Sequence, residues 1–574
     1  MSVVALHSRP APVANLAGAL DPAAVVVLKF GSSVLTSPAD APAVASEIYA
    51  HVRAGRRVVA VVSALAGETD RLLGEARALG LAHDNDLLPA YVALGEERAA
   101  ALVAIACDRV GLDTRALSVR ELGLLAAGPS EHAHPLALVG DGLKNALAAH
   151  QVVVAPGFGA VRADGRVALL GRGGSDLTAA FLAAELGLDR VRLVKDVDGL
   201  YDHDPARGAA RRFAYASWDE ACRLGGRLVQ TDAIDLGRQR GVQIEIAALG
   251  RADHTLIGDR SESPAPARPQ KRLRVAVAGC GVVGGGALRR LLPDPRFEVI
   301  GVLVRNPLKP RDIDCPANLF VTDPADLLDR RPDVLLEALS DGEAGYALVR
   351  AALERGVDVA SANKQAVARD PGGLLALAAD KGARVQWSAS VGGGSPMVET
   401  IRAARAAGPV VAFEAVLNGT VNFMLERLGQ GAAFDQALHE ARLAGFAEED
   451  PSADLEGHDA AAKVKLLAYE AFGVAPSDVA RDVLSDQAAP KGDARQVASC
   501  RAEETGLSAA VRLDAEGVDP LFLSLRGEGN ALKVIGQDGR VWTCRGRGAG
   551  RWATAESLLA DLNDLMRARA EALI

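Results

Sequence analysis

The chain has 574 residues, of which 49% are hydrophobic and 24% charged, and its formal net charge is −9 at pH 7. This length predicts two to four domains, and the acidic balance excludes nucleic acid and anionic membranes as main partners. Six cysteines without a CxxC pair predict reduced thiols in a cytoplasmic protein and exclude a disulfide framework or a zinc site. The first residues lack a signal-peptide pattern, and charge interrupts apolar runs before the roughly 18 residues of a membrane span, so we expect neither.

Valine-rich, strand-like runs alternate with amphipathic, alanine- and leucine-rich stretches along the whole chain. This alternation predicts an α/β protein built on parallel sheets that helices cover on both faces. Residues 251–272 are rich in proline, serine and charge and have no apolar period, so we predict a linker there. The first predicted domain is therefore 22–250, and the second half of the chain begins at residue 273.

Glycine- and hydroxyl-rich turns follow several predicted strands of the first half. In LKFGSSVLTS, Lys29 ends a strand, and the turn Gly31–Ser33 behind it lets backbone N–H groups approach an anion. Three further stretches are VVSALAGETD (61–70), GRGGSD (171–176) and KDVDGLYDHDP (195–205). Each stretch alone fits an ordinary turn as well, but together they predict a phosphate-binding cradle.

These motifs, in this order, resemble the aspartokinases of the amino-acid-kinase fold, an αβα sandwich, over roughly 25–250. The resemblance implies phosphorylation of the aspartate side-chain carboxylate by ATP with Mg²⁺. The residues implied to hold the phosphates or the nucleotide are Lys29, Gly31, Ser32, Ser33, Asp176 and Asp196. Those implied to bind aspartate are Ser63, Thr69, Glu96 and Arg172. A guanidinium such as that of Arg172 can clamp a carboxylate with two hydrogen bonds.

Three positions depart from the aspartokinase pattern. Ser32 stands for its second glycine, Val34 for the serine that follows, and Lys195 for the threonine before DVDG. KFGSSVLT also resembles glutamate 5-kinase, which has the same fold. Two alternatives therefore stay open, a first half of the glutamate-kinase type and an inactive kinase half that serves in assembly.

The second half opens with LRVAVAGCGVVGGGALRRLL (273–292), a GxGxxG pattern between a predicted strand and a predicted helix. The glycines permit a tight turn and a close approach of the backbone to a pyrophosphate at the helix N-terminus. We therefore predict a Rossmann domain that binds NAD or NADP. The residues predicted to contact the dinucleotide in this turn are Gly279, Gly281, Val282, Val283 and Gly284.

The next predicted strand, FEVIGVLV, runs into a basic cluster of Arg305, Lys309 and Arg311. An NAD site usually has an acidic residue there for the ribose hydroxyls, whereas basic residues favour the 2′-phosphate of NADP. A basic surface turn without contact to the cofactor is the alternative. The preference between NAD and NADP stays open.

Five stretches complete the pattern of the second half: GVDVASANKQA, SASVGGGSPM, EAVLNGTVNFML, GFAEEDPSADLEGHDAAAK and RGRGAGRWATAESLLADL. Together with the glycine-rich turn they resemble homoserine dehydrogenases over 273–574. The resemblance implies a Rossmann domain over 273–395, an α+β substrate and dimerisation domain over 396–545, and a return to the nucleotide domain over 546–574. It also implies NAD(P)-dependent interconversion of aspartate 4-semialdehyde and homoserine in a homodimer or a higher homo-oligomer.

The acidic stretch that begins at residue 445 matches the substrate motif of that family. The resemblance implies that Glu448 binds the substrate ammonium, that Asp454 adds hydrogen bonds, and that Asp459 binds the hydroxyl or aldehyde end. Asp459 and Lys463 are four residues apart and share a face if this segment is helical. Lys364 and Lys463 are the candidate proton donors or acceptors, and the choice between them stays open.

Two further expectations follow from the same resemblance. A monovalent cation such as Na⁺ is implied at the loop SASVGGGS, with Val391, Gly393 and Ser395 as ligands, although some members have a glutamate where this chain has Ser388. Gly548 is implied to return to the cofactor.

Bifunctional aspartokinase–homoserine dehydrogenases of the familiar bacterial type carry ACT modules between their two halves. Here the predicted halves are separated by the stretch 251–272, which is too short to fold into such a pair. We therefore expect a fused aspartokinase and homoserine dehydrogenase without the ACT region that binds threonine. Its partners would be the small molecules aspartate, aspartate 4-semialdehyde and homoserine.

Overall fold

The computed structural model describes residues 24–81, 86–225, 228–266, 271–447, 449–490, 492–548 and 550–571. It contains an N-terminal α/β domain, a second α/β domain and an α+β domain, and one buried apolar cluster runs continuously from the second domain into the third. The strands of the first domain are β1 (Val25–Phe30), β2 (Arg57–Val62), β3 (Thr114–Ala116), β4 (Leu124–Ala127), β5 (His134–Leu138), β6 (Val152–Pro156), β7 (Gly159–Val161), β8 (Val167–Leu169), β9 (Arg190–Lys195), β10 (Arg211–Arg212), β11 (Tyr215–Ser217), β12 (Gln243–Ala248), β13 (His254–Gly258) and β14 (Ala265–Pro266). Its helices are α1 (Ala41–Arg53), α2 (Glu68–Ala78), α3 (Leu88–Arg109), α4 (Val119–Leu122), α5 (Gly142–Ala149), α6 (Gly174–Glu185), α7 (Trp218–Leu224) and α8 (Thr231–Arg240).

The first domain is built on an eight-stranded sheet in the order β11-β13-β12-β9-β1-β2-β6-β3. The central strands are almost wholly apolar and buried, because helices cover the sheet on both faces. Strands β1, β2, β6 and β9 run parallel, so their carboxyl ends meet at one edge. The predicted phosphate turns follow β1, β2 and β9 and therefore come together at that edge.

The predicted linker is shorter than 251–272. Residues His254–Gly258 form β13, which pairs with both β11 and β12 inside the large sheet. The apolar run of this strand is only a few residues long and lies between charged segments, so its period was not visible in the sequence. Its burial between two strands supplies the stability that its length does not.

The second domain has six strands and seven helical segments among the described residues before the third domain begins, one of them the 3₁₀ helix Ala317–Leu319. The strands are β15 (Leu273–Ala278), β16 (Phe297–Leu303), β17 (Phe320–Val321), β18 (Val334–Glu337), β19 (Asp358–Ser361) and β20 (Val385–Gln386). The α-helices are α9 (Val282–Leu291), α10 (Pro324–Asp329), α11 (Gly342–Glu354), α12 (Lys364–Ala368) and α13 (Pro371–Asp380), and a 3₁₀ turn covers Ser388–Ser390. The sheet is parallel in the order β17-β16-β15-β18-β19-β20, the doubly wound order 3-2-1-4-5-6.

The third domain carries a six-stranded sheet. Its strands are β21 (Val410–Val416), β22 (Ala480–Arg481), β23 (Arg495–Glu503), β24 (Gly506–Asp514), β25 (Gly529–Gly536) and β26 (Val541–Arg547). Its helices are α14 (Met397–Ala407), α15 (Gly419–Gly429), α16 (Phe434–Leu443), α17 (Ser452–Leu455), α18 (His458–Phe472) and α19 (Pro520–Leu523). Of these, α14 and α18 pack against the sheet on one face. The last helix, α20 (Arg551–Glu571), returns to the second domain, where it packs on α9 and its leucines join the core under β15.

The first domain is docked against the other two. Helix α20 contacts α1, and Arg290 of α9 donates hydrogen bonds to the carbonyl of Pro42 and the hydroxyl of Ser46, both at 3.0 Å. Arg547 at the end of β26 forms an ion pair with Asp108 of α3 at 2.7 Å. None of the helices in the described ranges combines the length and apolar composition that crossing a bilayer requires.

Candidate active sites in the two halves

A buried charge cluster lies at the carboxyl edge of the first sheet. Lys29 ends β1, Lys195 ends the neighbouring strand β9, and Asp176 lies in the first turn of α6. The carboxylate of Asp176 forms ion pairs with two ammonium groups, that of Lys29 at 2.7 Å and that of Lys195 at 2.9 Å. Burial would raise the pKa of Asp176, but the two lysines outweigh it and lower the pKa, so the carboxylate is ionised. Two cations are thus held side by side where an anionic phosphate can meet them.

A cavity of about 500 Å³ opens beside this cluster. Among the residues that line it are Lys29, Ser32, Ser63, Thr69, Glu96, Arg172, Asp176 and Lys195. Glu96 on α3 is buried, and burial raises its pKa to about 7. One of its oxygens accepts the N–H of Ala64, while the other, Oε2, has no hydrogen-bond partner in the described structure. A buried carboxylate with an open acceptor facing a cavity suits a ligand ammonium.

Three residues predicted for the phosphate turn and the nucleotide loop lie differently. Gly31 is buried, and a Cβ there would come within 2.7 Å of the Lys29 ammonium, so the glycine leaves room for that side chain. Ser33 and Asp196 are exposed and do not line the cavity. Lys195, which the sequence marked only as a departure, joins the cluster because β9 is the parallel neighbour of β1.

The glycine-rich turn of the second domain faces a cavity of about 850 Å³ at the point where the strand order reverses. Gly279 has φ +92, and a Cβ there would meet the carbonyl of Ala338 at 2.4 Å, so the turn accepts only glycine. Gly284 lies against the carbonyl of Gly279, where a Cβ would come to 2.0 Å, which packs α9 onto β15. Gly281, Val282 and Val283 line the cavity directly.

Basic side chains surround the far end of this cavity. Arg305, Lys309 and Arg311 follow β16 and line it, together with Arg551 at the start of α20. Arg551 lies in the stretch that was predicted to return to this domain, but the sequence analysis assigned it no role. Gly548, which was predicted to reach the cofactor, lies instead against Asn530 and Gly393. The glycine turn and this basic rim are compatible with a bound NAD or NADP.

A second cluster of two lysines and a carboxylate lies between the second and third domains. Lys364 begins α12, and Asp459 and Lys463 lie one turn apart on α18. Asp459 accepts the Lys463 ammonium at 2.9 Å and forms a salt bridge with Lys364 through its other oxygen. Burial would raise the pKa of Asp459, but Lys463 and then Lys364 lower it strongly, so the carboxylate stays ionised.

Asn418 connects this cluster to the acidic segment. It is the residue before α15, is buried, and donates to Asp454 at 2.7 Å and to Asp459 at 3.0 Å. Burial raises the pKa of Asp454, and the neighbouring charge of Asp459 adds to the effect. The sequence placed Asn418 in a motif (EAVLNGTVNFML) but assigned it no role. Glu448, predicted to bind the substrate ammonium, lies outside the described residues.

The loop predicted to hold a monovalent cation, 388–395, lies between the third domain and the first. Gly394 donates to the carbonyl of Arg547 at 2.9 Å, and a Cβ on it would meet the carbonyl of Val110 in the first domain. Val391 and Gly393 are buried, as is Ser395, whose hydroxyl has no hydrogen-bond partner among the described residues. The polar atoms of this loop are therefore compatible with a ligand.

The doubly wound sheet with its glycine turn, together with the adjoining cluster of lysines and a carboxylate, defines a dinucleotide-dependent oxidoreductase. The N-terminal α/β domain precedes it in the chain. Family models agree with this division: the amino acid kinase family matches 24–246, the NAD-binding domain of homoserine dehydrogenase matches 279–387, and homoserine dehydrogenase matches 396–562.

Individual relatives match the same two parts. A homoserine dehydrogenase of Neisseria gonorrhoeae is 31% identical over 52% of this chain and 73% of its own length. An aspartokinase of Helicobacter pylori is 30% identical over 42% of this chain and 62% of its own length. A crystal structure of a homoserine dehydrogenase from Thiobacillus denitrificans, 30% identical, superposes with a TM-score of 0.47 over 52% of this chain and 74% of that chain. The chain belongs to the homoserine dehydrogenase family and carries an amino acid kinase domain fused ahead of it.

Proposed function

We propose that the second half oxidises homoserine to aspartate 4-semialdehyde, and catalyses the reverse, with NADP or NAD. The observation that carries this proposal is the ion cluster of Asp459 with Lys364 and Lys463, which lies beside the domain that contains the dinucleotide cavity. A bound nicotinamide cofactor would supply the hydride acceptor for oxidation and the hydride donor for reduction. The protein must then bind the substrate, orient it and move one proton at the reacting oxygen.

The two lysines differ in how they could serve that oxygen. The side chain of Lys364 is 36% exposed and that of Lys463 is 11% exposed. Lys463 is also held by the carbonyl of Leu417 at 2.8 Å. The greater exposure of Lys364 supports it as the group that gives its proton to the carbonyl oxygen on reduction and takes the hydroxyl proton on oxidation. Asp459 keeps both ammonium groups in place, and Asn418 orients Asp459.

We propose that the first half transfers the γ-phosphoryl group of ATP to the side-chain carboxylate of aspartate, with Mg²⁺ bound to the nucleotide. Phosphoryl transfer depends on positioning and on neutralising charge. Lys29 and Lys195, aligned by Asp176, would neutralise the transferring phosphate. Glu96, with its unpartnered oxygen, would accept the ammonium of the amino acid, and Arg172 would bind its α-carboxylate.

The finer assignments follow from the same sites. The basic rim at Arg305 and Lys309 supports NADP over NAD. A monovalent cation at Val391, Gly393 and Ser395 stays a prediction, supported by the unpartnered hydroxyl of Ser395. Assembly into a homodimer and a location in the cytoplasm are further parts of the proposal. The homodimer rests on the family resemblance, and the cytoplasmic location rests on the scattered cysteines.

A paired assay on the purified full chain tests both activities. Homoserine with NADP, and separately with NAD, should give absorbance at 340 nm, and aspartate with ATP and Mg²⁺ should give an acyl phosphate that hydroxylamine traps. The same assay with glutamate in place of aspartate tests the glutamate-kinase alternative. We expect aspartate to be strongly preferred over glutamate. A chain that reduces NADP but yields no hydroxamate with either amino acid would leave an inactive kinase half as the correct account. The same two assays with added threonine test whether inhibition occurs without ACT modules.

A further inference from the structure

One arginine of the kinase domain lies inside the dehydrogenase half. Arg53 is the last residue of α1, and it is only 6% exposed. Its guanidinium enters between α14 and α20. There it lies 2.8 Å from the carboxylate of Glu399 and 3.0 Å from that of Asp564, and it forms a salt bridge with Asp561.

Arg53 is an ion-pair partner of a buried carboxylate in the dehydrogenase half. Asp561 is fully buried in the middle of α20, and the ion pair that the described residues make with it is the one to Arg53. A buried carboxylate without a cation is strongly unfavourable, because the interior solvates its charge poorly. Arg53 also donates to the carbonyl of Ser557 at 3.2 Å, one turn earlier on the same helix. The kinase domain therefore supplies the cation that three carboxylates of the dehydrogenase half share.

The same cluster holds the start of the loop 388–395. Arg53 donates to the hydroxyl of Ser388 at 3.3 Å, and that hydroxyl donates to Glu399 at 2.5 Å. The backbone N–H of Ala389 points at the second carboxylate oxygen of Asp561, at 3.5 Å. The first two residues of the short 3₁₀ turn are thus tied to carboxylates that form ion pairs with Arg53.

From this turn, hydrogen bonds lead to the catalytic lysine. The hydroxyl of Ser390 donates to the carbonyl of Ser361 at 2.7 Å, and the hydroxyl of Ser361 donates to the buried Glu337 at 2.6 Å. Asn363 donates its backbone N–H to the Ser361 hydroxyl at 3.1 Å and caps α12. Lys364 is the first residue of that helix.

We propose that Arg53 is a positioning residue for the dehydrogenase, so that the docked kinase domain holds the 388–395 loop and, through Ser390 and Ser361, the Lys364 ammonium. The inference rests on the proposed dehydrogenase function. It requires no ATP and no aspartate, because the contact is built into the fold. It makes the fusion of the two domains a structural condition for homoserine turnover.

Three full-length variants test this role. Arg53→Met removes the positive charge. Arg53→Lys keeps the charge, but a lysine ammonium cannot contact the three carboxylates and the serine hydroxyl together. Arg56→Met, an exposed arginine just beyond the same helix, is the matched control. At a temperature where circular dichroism shows every variant folded, kcat for homoserine oxidation should fall about ten- to a hundredfold in Arg53→Met and by less in Arg53→Lys. The KM for homoserine, hydroxamate formation from aspartate, and the Arg56→Met control should stay close to wild type.

A double-mutant cycle separates the proposed route from general loosening. Ser390→Ala cuts the hydrogen bond to Ser361, so its loss of kcat should overlap with that of Arg53→Met and the two should not add. If Arg53→Met does not fold, Arg53→Lys takes its place in the cycle. Purely additive losses, or an Arg53→Lys enzyme with a lower melting temperature but unchanged kcat, would overturn the positioning role.

The outcome also separates this inference from the function on which it rests. An active wild-type enzyme whose Arg53→Met variant turns over at the wild-type rate overturns the inference alone. A folded wild-type chain without homoserine-dependent NADP reduction overturns the proposed function and the inference with it.

Discussion

Replacing Asp459 by asparagine preserves the shape of the side chain and removes its charge from between two ammonium groups. Asp459 is 6% exposed and pairs with Lys463 at 2.9 Å, so Lys463 would be left with the Leu417 carbonyl and a nearby cation. Removing one partner of a buried pair costs about 3 kcal/mol of stability. Because the carboxylate no longer positions the lysine that transfers the proton, kcat should fall by about 10²- to 10⁴-fold.

The pH dependence gives a second readout of the same variant. The lysines hold the pKa of Asp459 below its ordinary value, so its contribution to stability is present above the unfolded-state pKa and is lost only as the pH falls through the folded one. Asp459 itself therefore does not titrate near neutral pH. In Asp459→Asn the ammonium groups lose their counter-charge, so the pH profile of homoserine oxidation should move to lower pH.

Initial rates of NADP reduction between pH 6 and 10 measure both effects, with Asp450→Asn, an exposed carboxylate of the same segment, as the control. The control should match wild type. Circular dichroism at the assay temperature establishes that the variant is folded. An Asp459→Asn enzyme that keeps most of the wild-type kcat, with an unshifted profile, would refute the role of the cluster.

Three further predictions concern the nucleotide and amino-acid sites. Lys195→Met should lower the kinase kcat about 10²-fold or more, because it removes one of the two cations paired with Asp176. The control Lys144→Met, at an exposed lysine, should keep the wild-type kcat. If Lys195→Met forms hydroxamate at the wild-type rate, Lys195 takes no part in phosphoryl transfer. Because Glu96 is neutral below its pKa of about 7, the KM for aspartate should fall as the pH rises through 7. Glu96→Gln should abolish this pH dependence of the KM. A Glu96→Gln enzyme with the wild-type pH profile would exclude Glu96 as the ammonium ligand. Arg305→Ala should raise the KM for NADP about tenfold and that for NAD little; equal changes for both cofactors would exclude a 2′-phosphate contact.

Much of this molecule could be predicted from local patterns. The glycine turn at Gly279 lies between a valine-rich strand and a helix, and each of these signals is carried by neighbouring residues. The spacing of Asp459 and Lys463 brings their side chains together because one helical turn separates them. The short strand at 254–258 was missed because its burial, not its composition, makes it a strand.

What the sequence by itself determined is the order of the domains, the identity of the motifs and the contacts within one helical turn. The tertiary structure decided which distant residues meet. Lys195 joins Lys29 because their strands are parallel neighbours, and Asn418 reaches Asp459 because α15 begins beside α18. Arg53 reaches Asp561 because two domains dock. Periodicity and spacing report only interactions between residues close along the chain, whereas burial between strands and between domains brings together residues that no local pattern relates.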